Sequence, residues 1–139
     1  MQDYLYYIFE LFIRLFCGII FLFQGYDKLF KVKLNQVINT FDDEAEKKHI
    51  PKPLVVFSAF YSSIVEFFGG ILMIVGLFKP IVLILLGFDL IMVAVAFSMI
   101  EAMWDMKHVF PRLVFVSVLM LIPAEWGIFS LDYLLKFNI

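Results

Sequence analysis

The chain has 139 residues, of which 63% are hydrophobic and 17% charged, and its mean hydropathy is +0.96. Soluble domains are about 45 to 50% apolar and about 25% charged. A small globule cannot hide the excess from water, so the solvent around much of this surface must be lipid. With 11 Lys plus Arg against 13 Asp plus Glu, the chain lacks the basic surplus of a nucleic-acid binder, and its expected partners are lipid and other membrane proteins.

A spanning helix needs about 20 apolar residues. Four stretches meet or approach that length, at about 4–25, 54–78, 81–100 and 109–126. The first begins with MQDYLYY, which is acidic and aromatic rather than basic. Arg14 interrupts its apolar centre and no small-residue cleavage site follows, so it is expected to be a retained helix rather than a signal peptide. Cys17, the only cysteine, lies in this stretch; it permits no intrachain disulfide and reads as a small buried hydrophobe.

The connection from Tyr26 to Pro53 is the only long one. Within it Leu34, Val37, Ile38 and Phe41 recur at i, i+3, i+4 and i+7 among polar neighbours. This stripe predicts a short amphipathic helix over about 34–46, lying in the headgroup region or capping the bundle. The following DDEAEKK reads as a solvated face, and Pro51 and Pro53 lead into the second stretch. Lys79-Pro80 predicts a tight turn, because proline cannot continue one helix but suits the first turn of the next. The second and third stretches therefore form an antiparallel hairpin, and the expected fold is an all-α, single-domain membrane bundle of four helices.

Basic residues near helix ends bias orientation. Lys28, Lys31, Lys33, Lys47, Lys48, Lys52, Lys107 and Arg112 fall on one side, and only Lys79 and Lys136 on the other. The first and third connections are thus expected in the cytoplasm of a bacterial inner membrane, with both termini outside. Trp126, Tyr133, Tyr4, Tyr6 and Tyr7 would form an aromatic belt on the terminal side.

Arg14, Glu66 and Asp89 fall near the middle of three different spans. Each such residue costs roughly 2.5 to 3.5 kcal/mol at a helix centre, so all three should face protein or a wet cavity. Gly18 lies four positions after Arg14, and Gly69 and Gly70 lie three and four after Glu66. Each charge therefore shares a face with a residue that permits close packing, and Arg14 and Glu66 are expected to meet. One cation cannot satisfy two carboxylates in low dielectric, so one acid is expected to hold a proton. Such a cluster serves either as an ion pair fixing helix register or as a site for a proton-coupled reaction or a quinone head group.

A second polar group, Gln24, Asp27, Lys28, Glu101, Asp105, His108 and Arg112, gathers near the opposite helix ends. Interface anchoring by snorkelling side chains accounts for most of it; the alternative is a head-group or substrate mouth formed by Gln24, Lys28, His108 and Arg112. The only histidines, His49 and His108, belong to different connections. No metal or haem site is expected from them, and no phosphate loop or nucleophilic triad is present.

Three segments carry a family likeness. RLFCGIIFLFQGYDKLF resembles the opening signature of DoxX-family membrane proteins, an Arg followed by a glycine, an apolar run and Gly-x-x-Lys. PKPLVVFSAFYSSIVEFFGGILMIVGLFKP is similar to that family's second span, with a Pro-x-Pro start, a mid-helix Glu, Gly-Gly and a closing Gly-Leu. EWGIFSLDYLL resembles its terminal Gly and Ser-Leu-Asp segment. The resemblance implies a four-helix membrane fold and, for some members, association with quinone-linked or thiol-linked oxidoreductases. It carries Arg14, Lys28, Glu66 and Asp132 over as motif positions. EAMWDMKHVFPR and the mid-span Asp89 depart from the pattern, and the lack of a cysteine pair argues against direct thiol chemistry. The leading expectation is a membrane subunit of a quinone-linked oxidoreductase, not a complete enzyme alone. It would have no intrinsic cofactor, but would bind a quinone or similar lipophile beside Arg14, Glu66 and Asp89, supplying positioning and a proton relay. The competing expectation is a non-catalytic accessory or scaffolding subunit of a larger membrane complex, or a self-associating one.

Overall fold

A computed structural model of the chain describes residues 2–100 and 109–135, and all regular structure among them is helical. Helix α1 covers Gln2–Tyr26 and continues as a widened π turn, Asp27–Lys31. Helix α2 is Leu34–Lys47, α3 is Lys52–Val75 and α4 is Lys79–Ile100. After the undescribed stretch come α5, Phe110–Leu121, a 3-10 turn, Ala124–Trp126, and the short α6, Leu131–Leu134.

Among the described residues three helices are long and apolar enough to cross a membrane: Tyr4–Lys31, Lys52–Val75 and Lys79–Ser98. At 1.5 Å per residue, α3 reaches about 36 Å, against a hydrocarbon core of about 30 Å. Large apolar side chains such as Phe12, Phe16, Phe57, Phe60, Phe88 and Ile91 stand exposed along these helices, as expected for an integral membrane protein in contact with lipid. The fourth apolar stretch forms a shorter helix than the 109–126 expected from sequence. It has 12 residues, about 18 Å of helix, and ends at Leu121 because Ile122 is extended (φ −73°, ψ 127°) ahead of Pro123, which disfavours helical geometry in the residue before it.

Lipid tails supply no hydrophobic force between helices, so close backbone packing carries the association. Helices α1 and α3 make the most extensive contact in the fold, and glycine permits it. A Cβ on Gly18 would lie 2.9 Å from the carbonyl oxygen of Gly70, one on Gly70 would overlap the backbone of Leu22, and one on Gly25 would overlap that of Phe67. Cys17, Phe21, Met73, Leu86, Leu90, Val116 and Leu119 fill the core between α1, α3, α4 and α5.

The apolar stripe of α2 faces the protein. Ile38 and Ala45 are buried, and the rings of Phe41 and Phe97 lie 5.7 Å apart, so α2 packs on α3 and α4. Left-handed residues bracket it, Lys33 with φ 64° and His49 with φ 57°. The α3–α4 connection is tight, but the turn falls at residues 76–78 and not at Lys79-Pro80, which already open α4. Gly76 ends α3 at φ 74°, its N–H and that of Leu77 both donating to the carbonyl of Leu72. At the same end Tyr6 stacks on Trp126, with ring centroids 4.5 Å apart.

Candidate functional site

The antiparallel register of α1 and α3 decides which charges meet. Gly18 lies against Ile74 and Gly25 against Phe67. Arg14, one turn before Gly18, therefore reaches the end of α3, while Lys28, one turn after Gly25, comes beside Glu66. Glu66 is seven residues before Met73, about 10 Å along the helix. The expected meeting of Arg14 with Glu66 does not occur, and the buried charges form two separate groups.

The first group closes one end of the molecule. Arg14 is fully buried and donates to the carbonyl oxygens of Met73 at 2.9 Å, Ile74 at 2.8 Å and Phe129 at 3.0 Å. The first two belong to the last turn of α3, where carbonyls have no partner within the helix. Glu10, one turn before Arg14 and also fully buried, pairs with Arg14 Nε at 3.3 Å and Lys79 Nζ at 3.2 Å. Asp132 accepts from the backbone N–H of Phe78 at 2.8 Å and of Lys79 at 2.9 Å, capping the start of α4. Both cations face Glu10, and the carboxylate of Asp132 is taken up by backbone donors. This arrangement ties α1, α3, α4 and the C-terminal segment together and leaves no group free for chemistry.

The second group lies halfway along α3 and α4. Glu66, fully buried, has Lys28 Nζ 2.6 Å from Oε2 and Arg112 Nη1 2.8 Å from Oε1. Arg112 also donates to Gln24 Oε1, and its guanidinium lies 5.9 Å above the ring centroid of Phe21. Lys28 Nζ donates to Ser62 Oγ at 2.8 Å. Asp89, fully buried on α4, shares this neighbourhood. Neither of its carboxylate oxygens has a hydrogen-bond partner among the described residues.

Gln24, Lys28 and Arg112 are thus not mainly interface anchors. The register of α1 and the start of α5 bring Lys28 and Arg112 onto Glu66 and Gln24 onto Arg112. The charge arithmetic changes with them, since two cations, rather than Arg14 alone, face Glu66 and Asp89. His108 lies outside the described residues. Sequence reasoning passed over Glu10, Lys79 and Ser62 as site residues. Glu10 had a signal in its i, i+4 spacing to Arg14, whereas nothing local marks Ser62, whose role comes from lying one turn before Glu66 on the face that Lys28 reaches.

Beside this second group a cavity of about 330 Å³ opens between α2, α3 and α4, within the range of roughly 300 to 1,000 Å³ usual for small-molecule sites. Val37, Phe41 and Ala45 of α2, Ala59 of α3, and Met92 and Ala96 of α4 supply apolar wall. Lys28 and Ser62 give it one polar end. The ammonium of Lys28, paired with Glu66 and donating to Ser62, stands at this end, and an ammonium carries three donors. The site can therefore take an apolar molecule with a hydrogen-bond-accepting head.

No curated protein and no solved structure is similar enough to the chain to count as a match. The sequence pattern of the DoxX family matches residues 9–100, which include α1 to α4 apart from the first turns of α1 and both Lys28 and Glu66; the chain belongs to the DoxX family.

Proposed function

We propose that the protein is a membrane subunit of a quinone-linked oxidoreductase assembly that holds a lipophilic quinone in the cavity between α2, α3 and α4. The observation that carries the reading is the apolar cavity ending at Lys28 and Ser62, immediately beside buried charges. A quinone has an apolar tail and a head whose two carbonyl oxygens accept hydrogen bonds. The apolar walls fit the tail, and the ammonium of Lys28 and the hydroxyl of Ser62 fit the head. When bound, such a group accepts electrons and protons; the chain's own residues position it and exclude water. Glu66 holds Lys28 at the cavity end, and Arg112 holds Glu66 in turn.

The same reading makes the protein a four-helix membrane bundle, with α5 as the fourth member and α2 at the headgroup level. The bacterial inner membrane is the host. By the distribution of lysine and arginine the first and third connections face the cytoplasm. A partner subunit or a second copy of the chain completes the assembly and brings the electron carrier.

Mass spectrometry of protein extracted gently from its membrane tests the reading. Stoichiometric quinone, or a co-purifying redox subunit, is the expected result. A complex with no redox component and no small lipophile would replace it with the accessory-subunit reading.

A further inference from the structure

The two carboxylates of the inner group are not equivalent. Glu66 accepts a hydrogen bond from Arg112 at 2.8 Å through Oε1 and is ion-paired with Lys28 at 2.6 Å through Oε2. Asp89 is equally buried, yet nothing among the described residues donates a hydrogen bond to it. Among the described residues its charged and titratable neighbours are Glu66 and Tyr61 from α3, Lys28 from the π turn and Arg112 from α5. The hydroxyl of Tyr61 is turned to the carbonyl oxygen of Leu85 at 3.4 Å. An ionised carboxylate without a donor is among the costliest groups to bury, and a proton on it removes that cost. Ser62 stands beside Asp89 and also lines the cavity. Its oxygen accepts from Lys28, and because a hydroxyl donates as well as accepts, its O–H remains for Asp89 or for a cavity occupant.

We propose that Asp89 is the group in this site that takes up and gives back a proton, passing it through Ser62 to the cavity. Glu66 is the positioning residue of the two cations, Lys28 and Arg112. The assignment rests on reading the cavity as a site for a quinone-like, proton-accepting lipophile. In the transfer Asp89 gives its proton to Ser62 Oγ while Ser62 gives its own to the occupant's acceptor oxygen. One O–H bond breaks on Asp89, one forms on the occupant, and Ser62 ends as it began. An electron-donating partner subunit supplies the two electrons, and a second proton taken up by Asp89 from water repeats the step.

Infrared difference spectroscopy of the full chain in phosphatidylcholine–phosphatidylglycerol nanodiscs, stepped between acid and alkaline pH, tests the assignment. Wild type should show a carboxylic C=O band that Asp89→Asn removes and Asp89→Glu restores at a shifted position. On transfer to D2O, the isotope shift of that band should be at least tenfold slower in Ser62→Ala. A band that survives Asp89→Asn, or no band in wild type, overturns the assignment to Asp89; unchanged exchange in Ser62→Ala overturns the route. Binding of decylubiquinone to the same discs is read separately. If the band behaves as expected and decylubiquinone does not bind, the quinone reading fails and the assignment to Asp89 stands.

Discussion

The carboxylate of Asp132 caps α4 from a distance of 53 residues, accepting the backbone N–H of Lys79 at 2.9 Å. It also takes the N–H of Phe78, a residue held at φ 52° by the tight turn. Asp132→Ala would remove the shared acceptor of two donors at a helix start, so it should destabilise the protein by about 1 to 3 kcal/mol. Unfolding in mixed micelles measures this, and binding of decylubiquinone, at the far group, should not change.

Arg14 satisfies three carbonyl oxygens and one carboxylate at once. Arg14→Met leaves Glu10 buried with one cation and orphans the end of α3, an expected cost of about 3 to 5 kcal/mol. Arg14→Lys should recover little of it, because a lysine cannot reproduce the planar fork that reaches α3 and Phe129 together. A lysine variant as stable as wild type would mean that charge alone, and not the carbonyl contacts, is what matters at this position.

Gly70 and Gly87 make a matched pair. A Cβ on Gly70 overlaps the Leu22 backbone, whereas one on Gly87 meets only Met120 Cε, at 3.4 Å. Gly70→Ala should therefore cost about 1 to 3 kcal/mol through overpacking, and Gly87→Ala should be close to neutral. Melting temperatures of the two variants, compared in one detergent, decide it.

Lys28 is the cation that both pairs with Glu66 and lines the cavity. Lys28→Met should weaken decylubiquinone binding at least tenfold, which is about 1.4 kcal/mol. Lys52→Met removes an exposed pair with Asp42 and should change binding by less than about twofold, since exposed pairs contribute little. Equal effects in the two variants would point to loss of overall charge and not to a head-group contact.

Glu66→Gln should destabilise the protein more than Asp89→Asn. The first leaves Lys28 and Arg112 without their carboxylate, and breaking a buried pair from one side costs about 3 to 5 kcal/mol. The second removes a group that makes no hydrogen bond among the described residues. Chemical unfolding of both variants tests the order.

The sequence by itself determined the three long helices and α2, because apolar length and the 3.6-residue stripe of α2 are local properties that any packing must respect. It also determined that Arg14, Glu66 and Asp89 are buried, since a charge inside an apolar run has no tolerable place against lipid. Only the tertiary structure decided their partners. Gly18, Gly25 and Gly70 fix where α1 slides along α3, and that slide sends Arg14 to the end of α3 and Lys28 to Glu66. A few ångströms of register, set by backbone contact and not by any property of the charged residues, separated a closed structural end from an open polar site. The fold also placed Ser62 where Lys28, Asp89 and the cavity converge, a position no spacing along the chain reveals.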